Sequence, residues 1–318
     1  MQPLQTYSLG ACTIHRIEET TMVFPPHGLL KANSKEEARE LRHACINTPW
    51  IVNTFANEKG HVYLVIQSFI IVTPDNKKII VDTCAGNERD RESAAFNMLS
   101  TNYLKTLKHV DCSPETISHV MCTHLHVDHV GWNTMKDPDT GTFIPTFPNA
   151  KYLFNKEEFN HWQEIVASGG GSQSTTDQAI MGECVQPIVD SNLHELIDSS
   201  YIIANEGDKC CIYLISTPGH TPGHCSVVIE SNGARGVITG DCIHHPLQIQ
   251  KTSRPSNFDT DEAAGAQTRK TLLGSLAGTN TILFGTHFAK PSCGLVKKDF
   301  GKEGGEFIFD IGANHGKM

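Results

Sequence analysis

Four side chains able to bind metal fall within six consecutive positions: His124, His126, Asp128 and His129. In an extended segment alternate residues point the same way, so His124 and His126 can share one ion. A turn after Val127 would then aim Asp128 and His129 at a second. Imidazole nitrogens mixed with a carboxylate suit zinc or another borderline divalent ion. Two complete sites need three more donors, and His224, Asp241 and His287, each close to the end of an apolar run, are placed to supply them. A single histidine is more often a hydrogen-bonded core or surface residue than a ligand. Four ligand types in six positions, with three more at strand ends, reverse that preference.

The elements that must position these residues can be read from the apolar pattern. His61 to Val72 and Lys78 to Asp82 are rich in Val and Ile and flank Pro74-Asp75-Asn76, which predicts a hairpin in a sheet covered on both sides. Thr116 to Met121 is a short strand that ends at the histidine cluster, with a helix expected from about His129. Helices are expected over Ser34 to Cys45, where Ser34 and Glu37 have capping-box spacing, and over Asn155 to Ala167, where Asn155 and Glu158 do. Before Ser34 the chain reads as irregular. Cys211 to Ser216, Cys225 to Glu230, Gly236 to Gly240 and Thr281 to Gly285 form a second strand series, with a helix from about Thr260 to Leu276. Three of these strands are followed by a His or Asp, which gathers ligands at one rim. The chain is read as one domain over 1–318, with an N-terminal extension (about 1–55) and a flexible Gly/Ser-rich insertion (about 168–200).

Composition narrows the partners. The 26 Lys plus Arg against 35 Asp plus Glu give a formal net charge of -9 with no basic stripe, which argues against nucleic acid or an anionic membrane surface. No apolar segment is long enough for a membrane helix, and the N-terminus lacks an export pattern, so the expectation is a soluble cytoplasmic protein. The 11 cysteines lack paired spacing and read as reduced thiols, Cys122 and Cys225 beside the proposed ligands included.

Thr123 to Asn133 resembles the signature of the metallo-β-lactamase superfamily, and the likeness runs from about His61 to His287. It implies an α+β fold, a four-layer αββα sandwich with the metals at one edge. By motif position it implies that His124, His126 and His224 hold the first ion, Asp128, His129 and His287 the second, and that Asp241 bridges them. His224 is preferred to His220 as the second histidine of the Pro-Gly-His-x-x-Gly-His pattern, which makes His220 a supporting residue. Asp82 matches a position that supports the metal shell as a hydrogen-bond partner for a ligand histidine. His126 stands where redox di-iron members have Glu, so hydrolysis is favoured over electron transfer. The expected cofactors are two divalent metal ions, zinc first, lowering the pKa of a shared water and polarising the scissile bond, with Asp128 orienting that water.

Thr217 to His224, the Asp241 strand and Phe284-Gly-Thr-His287 look like the acyl-homoserine lactonases and methyl parathion hydrolases. The expected substrate is therefore a small-molecule ester or lactone. Where many lactonases have Tyr three residues after the bridging Asp, this chain has His244, which either acts on the substrate carbonyl or leaving alkoxide, or only lines the pocket. Trp132, Phe288 and Met22-Val23-Phe24 are candidate apolar walls, although aromatic residues in such places are more often simply core, and the apolar N-terminal segment is compatible with a homodimer. Alternatives are an organophosphate triesterase, a thioesterase of the glyoxalase II kind, disfavoured because no basic C-terminal domain is seen, and a non-catalytic metal-binding scaffold, disfavoured by the full ligand set.

Overall fold

The computed structural model describes residues 5–169, 174–301 and 305–312. Where one domain was read from the sequence, the chain divides by packing into two compact units, residues 1–20 with 66–201 and residues 21–65 with 202–318.

The first unit is organised on a seven-stranded sheet. Its strands are β1 (Gln5–Leu9), β2 (Cys12–Phe24), β3 (Val62–Val72), β4 (Lys78–Val81) and β5 (His119–Met121). A small antiparallel ribbon of β6 (Thr134–Lys136) and β7 (Phe143–Pro145) follows, and then β8 (Lys151–Asn155) and β9 (His194–Ile197) complete the sheet in the order β1-β2-β3-β4-β5-β8-β9. β2 and β3 belong to this unit through their residues up to Thr20 and from Ile66. The expected hairpin is present: β3 and β4 pair antiparallel with Phe69 opposite Val81, and Asn76 takes the left-handed φ of 64° that closes the turn. β4, β5, β8 and β9 run parallel, with Val81 beside Met121 and Met121 beside Leu153. Their carboxyl ends therefore form one edge, the usual place for ligands in α/β sheets. Asp82, the loop from Cys122 to Val130 and the cap Asn155 all issue from it.

The second unit holds another seven-stranded sheet, formed in chain order by β10 (Ile202–Asn205), β11 (Cys211–Ser216), β12 (Cys225–Ser231), β13 (Ala234–Ile238), β14 (Ile282–Phe284), β15 (Cys293–Lys298) and β16 (Phe307–Asp310). Ser216 lies opposite Cys225, so the 217–224 segment is the turn between β11 and β12. β13 and β14 are parallel, with Ile238 beside Phe284, and Val227 of β12 faces Ile238. The residues that follow β13 and β14, Asp241 and His287, thus emerge at the same edge as the 217–224 turn. Beneath that edge the helices Lys35–Asn47 and Glu262–Leu276 cover a core of Leu41, Cys45, Leu273, Leu276, Val237, Leu283 and Phe309. Ser34 Oγ accepts from Glu37 N at 3.1 Å, as the capping spacing predicts.

Four expectations are corrected. The chain before Ser34 is not irregular but forms the β1–β2 hairpin; β2 carries buried Arg16 and Glu19, whose charge masked the alternation. No helix starts at His129: Gly131 N and Trp132 N donate to Cys84 O (2.7 Å) and Thr83 O (2.8 Å), drawing the chain onto the neighbouring loop, and only a short turn, Gly131–Asn133, results. A Cβ on Gly131 would lie 1.9 Å from the Ala85 carbonyl carbon, so the contact requires glycine. The supposed flexible insertion includes helical chain over 174–190, anchored by buried Met181, Cys184, Val185 and Ile188, and the edge strand β9; residues 170–173 lie outside the described residues. Finally, Trp132 and Phe288 are core residues. Trp132 stacks on Tyr103 at 5.5 Å, and Phe288 packs on Phe55 and Phe309. Met22 and Phe24 pack partly buried against the second unit's core, while Val23 is exposed.

None of the 11 cysteines is joined in a disulfide. Among the described residues no helix is long and apolar enough to cross a membrane.

His245 is buried in the second unit, its Nε2–H donating to Phe55 O at 2.9 Å and its Nδ1 accepting from Leu247 N at 3.2 Å. Burial lowers its pKa from 6.5 to about 4, against the upward pull of the Phe55 carbonyl. The unfolded chain then binds more protons between these values, so His245 contributes stability that is present above pH 6.5 and lost as pH falls toward 4. Denaturant melts from pH 7 to pH 4 should show wild type losing roughly 3 kcal/mol more than His245→Gln, at about 1.4 kcal/mol per pKa unit. Parallel stability curves would contradict this.

Candidate metal centre

The first unit presents its donors from the loop after β5. His124 Nε2 lies 3.0 Å from His126 Nδ1, and Asp128 Oδ1 lies 3.7 Å from His129 Nε2. Asp82, directly after β4, holds this loop. Its Oδ1 accepts from Thr123 N at 2.7 Å, and its Oδ2 accepts from Thr123 Oγ1 at 2.9 Å and from His129 Nδ1 at 3.0 Å. With Nδ1 as the donor, a neutral His129 has its lone pair on Nε2, beside Asp128. Asp82 sits at φ 58°, a left-handed conformation unusual for aspartate, which turns its carboxylate back under the loop.

Glu19, which the sequence reading overlooked, braces the same region. Its buried carboxylate accepts from Ala85 N (2.8 Å), Gly86 N (3.3 Å), Trp132 Nε1 (2.6 Å) and Thr101 Oγ1 (3.3 Å). Burial raises its pKa, and these four donors act in the opposite direction.

The second unit centres on Asp241. His287 Nε2 lies 3.0 Å from Asp241 Oδ1, while His220 Nε2 and His244 Nε2 lie 3.5 Å and 3.3 Å from Oδ2. His287 Nδ1 is 2.8 Å from Val65 O, and because a carbonyl only accepts, Nδ1 carries the hydrogen. His220 Nδ1 likewise faces Asp259 Oδ1 at 3.3 Å. Burial lowers the His220 pKa to about 4, so the ring is neutral at pH 7. Asp259 falls to about 2: burial alone would raise it, but the His220 hydrogen bond and the charges of His244 and Arg269 prevail. Arg269, itself buried, approaches Asp259 Oδ2 at 3.3 Å.

The Nε2 lone pair of neutral His220 therefore faces a carboxylate, and His287 turns its Nε2 to the same group. Two acceptors repel unless a cation lies between them, and that is what a metal site supplies. His220, His244 and Asp259 are also close enough to one another to hold an ion, but the Arg269 guanidinium beside Asp259 disfavours a cation there.

One assignment is changed by this geometry. His224, taken from the motif as a ligand, has both ring nitrogens engaged: Nδ1 donates to Thr217 O at 3.0 Å, and Nε2 accepts from Asp241 N at 2.8 Å. His220, taken as a supporting residue, is the ring that faces Asp241. The exchange follows from the turn itself. Gly219 packs so closely on Gly265 that a Cβ would meet its nitrogen at 2.2 Å, and Thr260 N and Asp261 N donate to His220 O and Gly219 O. His244 is buried, stacked on His287 at 5.9 Å, and its Nδ1 has no hydrogen-bond partner among the described residues. Asp259 had no signal in the sequence, because its contact with His220 is long-range.

Comparison with known proteins finds a family similar to part of this chain. Residues 62–178 match the model of the metallo-beta-lactamase superfamily. Over that stretch the chain is similar to members of this superfamily. An N-acyl homoserine lactonase from Bacillus sp is 27% identical over 155 residues, 49% of this chain and 46% of that protein. The chain thus spans about half the length of the curated relatives it matches. Among solved structures, a hydrolase of the beta lactamase superfamily, AbOPH, aligns with a TM-score of 0.75 at 21% identity, covering 96% of each chain. AidC, described as a dizinc quorum-quenching lactonase in complex with a product, aligns at 0.74 and 19%, again over 96% of each chain. These likenesses establish the metallo-β-lactamase fold, with its mixed α and β content, as the motif resemblance implied.

The exchange of roles between the two histidines is open to direct test. His220→Ala should lose metal at least tenfold faster to a chelator than wild type, whereas His224→Gln should melt earlier but, while folded, retain metal near the wild-type level. The reverse order, measured by elemental analysis after EDTA challenge, would restore the motif-based assignment.

Proposed function

We propose that this protein is a hydrolase that opens lactones or cleaves esters with the help of two divalent metal ions. The observation that carries the reading is the convergence of imidazole nitrogens on the Asp241 carboxylate, the mixture of donors that a divalent ion takes. The proposed donors are His124, His126, Asp128 and His129 from the first half of the sequence and His220, Asp241 and His287 from the second, with His220 replacing His224. Zinc fits the mixture of imidazole and carboxylate. When bound, such a pair acidifies water and polarises a carbonyl.

The chain's own residues supply the rest. Asp128 is proposed to orient the attacking water, and His129 is kept in one tautomer by Asp82. His244, whose Nε2 lies 3.3 Å from Asp241 Oδ2, is proposed to act on the substrate carbonyl or leaving oxygen. The lactonase relatives and the AidC neighbour support a lactone or ester, a small molecule, as the substrate. A second reading, phosphotriester cleavage, is served by the same donors at a lower rate.

A hydrolysis panel on zinc-loaded protein should rank lactones and aryl esters above phosphotriesters, glutathione thioesters and β-lactams. His244→Phe should lower kcat by about 10²-fold or more, as loss of a general acid–base group does, with metal content unchanged. β-Lactams or thioesters outrunning every ester would overturn the substrate class, and an unaltered kcat would reduce His244 to a pocket wall.

A further inference from the structure

We infer that Glu158 and Trp162, neither of them in the proposed ligand set, form a clamp that sets the position of His126 and so governs retention of the metal it would hold; this rests on the metal reading above. Both come from the helix Lys156–Ala167, whose start is fixed by Asn155, its side chain accepting from Glu157 N and Glu158 N. The cap places Glu158 in the first turn and Trp162 one turn later on the same face.

Glu158 is 1% exposed, an unusual place for a carboxylate. Its Oε1 accepts from Leu125 N at 3.1 Å, the peptide N–H that lies between His124 and His126, and from Trp162 Nε1 at 2.7 Å. The indole ring meets the His126 ring edge-on, with centroids 5.4 Å apart. One oxygen thus holds both the backbone between the two histidines and the aromatic surface that limits rotation of the second. A carboxylate in this role is costly to bury unless it is hydrogen-bonded, and the two N–H donors meet that condition.

The variants separate positioning from simple stability. Glu158→Gln keeps an acceptor oxygen, Trp162→Phe keeps the ring and loses the N–H, and Glu158→Ala loses both links. With cobalt(II) as the probe, loss of metal to EDTA should quicken 10- to 100-fold in Glu158→Ala, the usual cost of removing an outer partner of a ligand, and about threefold in Trp162→Phe. Glu158→Gln should stay near wild type. The visible cobalt spectrum of folded Glu158→Ala should also change, a signature that a purely structural residue would leave untouched. If Glu158→Ala proves unfolded, Trp162→Phe with an altered spectrum carries the same conclusion. Wild-type metal loss and an unchanged spectrum in folded Glu158→Ala and Trp162→Phe would overturn the clamp. A wild-type chain that binds no cobalt would instead overturn the metal reading itself.

Discussion

His129, His220 and His287 each commit their Nδ1 hydrogen to a fixed acceptor: Asp82, Asp259 and the Val65 carbonyl. A neutral imidazole has one hydrogen to give, so that single bond decides which nitrogen is left with the lone pair and where it points. Much else in the molecule serves the bond. The parallel carboxyl ends of β4 and β5 bring Asp82 under the histidine loop, and the Gly219 contact with Gly265 brings His220 toward Asp259. Glu19 and the glycine contact at Gly131 keep the loops after β4 and after His129 from separating.

The same logic explains why carboxylates are buried here. Asp82, Asp259, Glu19 and Glu158 would each be expensive in an apolar interior, yet each accepts two or more hydrogen bonds from groups that must not move. Their contribution is orientation more than stability. A ligand ring rotated by a wrong hydrogen bond would still fold, but it would present a hydrogen where a lone pair is required.

Much of this was legible in the sequence because it is local. The strands β3, β4, β11, β12, β13 and β14 announced themselves as Val- and Ile-rich runs with turn residues between them. Ser34 and Asn155 marked their helices by cap spacing alone. His124 to His129 stood out because the chemistry is concentrated in one loop. Long-range pairings were hidden. β2 reads as polar because Arg16 and Glu19 are buried, Glu19 with partners far along the chain, and Asp259 reaches His220 across 39 positions. The choice between His220 and His224 failed for the same reason: motif spacing brings both rings to the turn, but only the Thr217 and Asp241 hydrogen bonds reveal that His224 is already engaged.

The metal binding proposed for these converging donors can be measured without knowing the substrate. Protein prepared in excess zinc, passed through a desalting column and analysed by inductively coupled plasma mass spectrometry should retain close to two zinc ions per chain, and Asp241→Asn, which removes the charge on which the imidazoles converge, should retain one or fewer. A wild-type chain that keeps no metal, or an Asp241→Asn chain that keeps the full complement, would contradict the assignment of these residues as a metal centre.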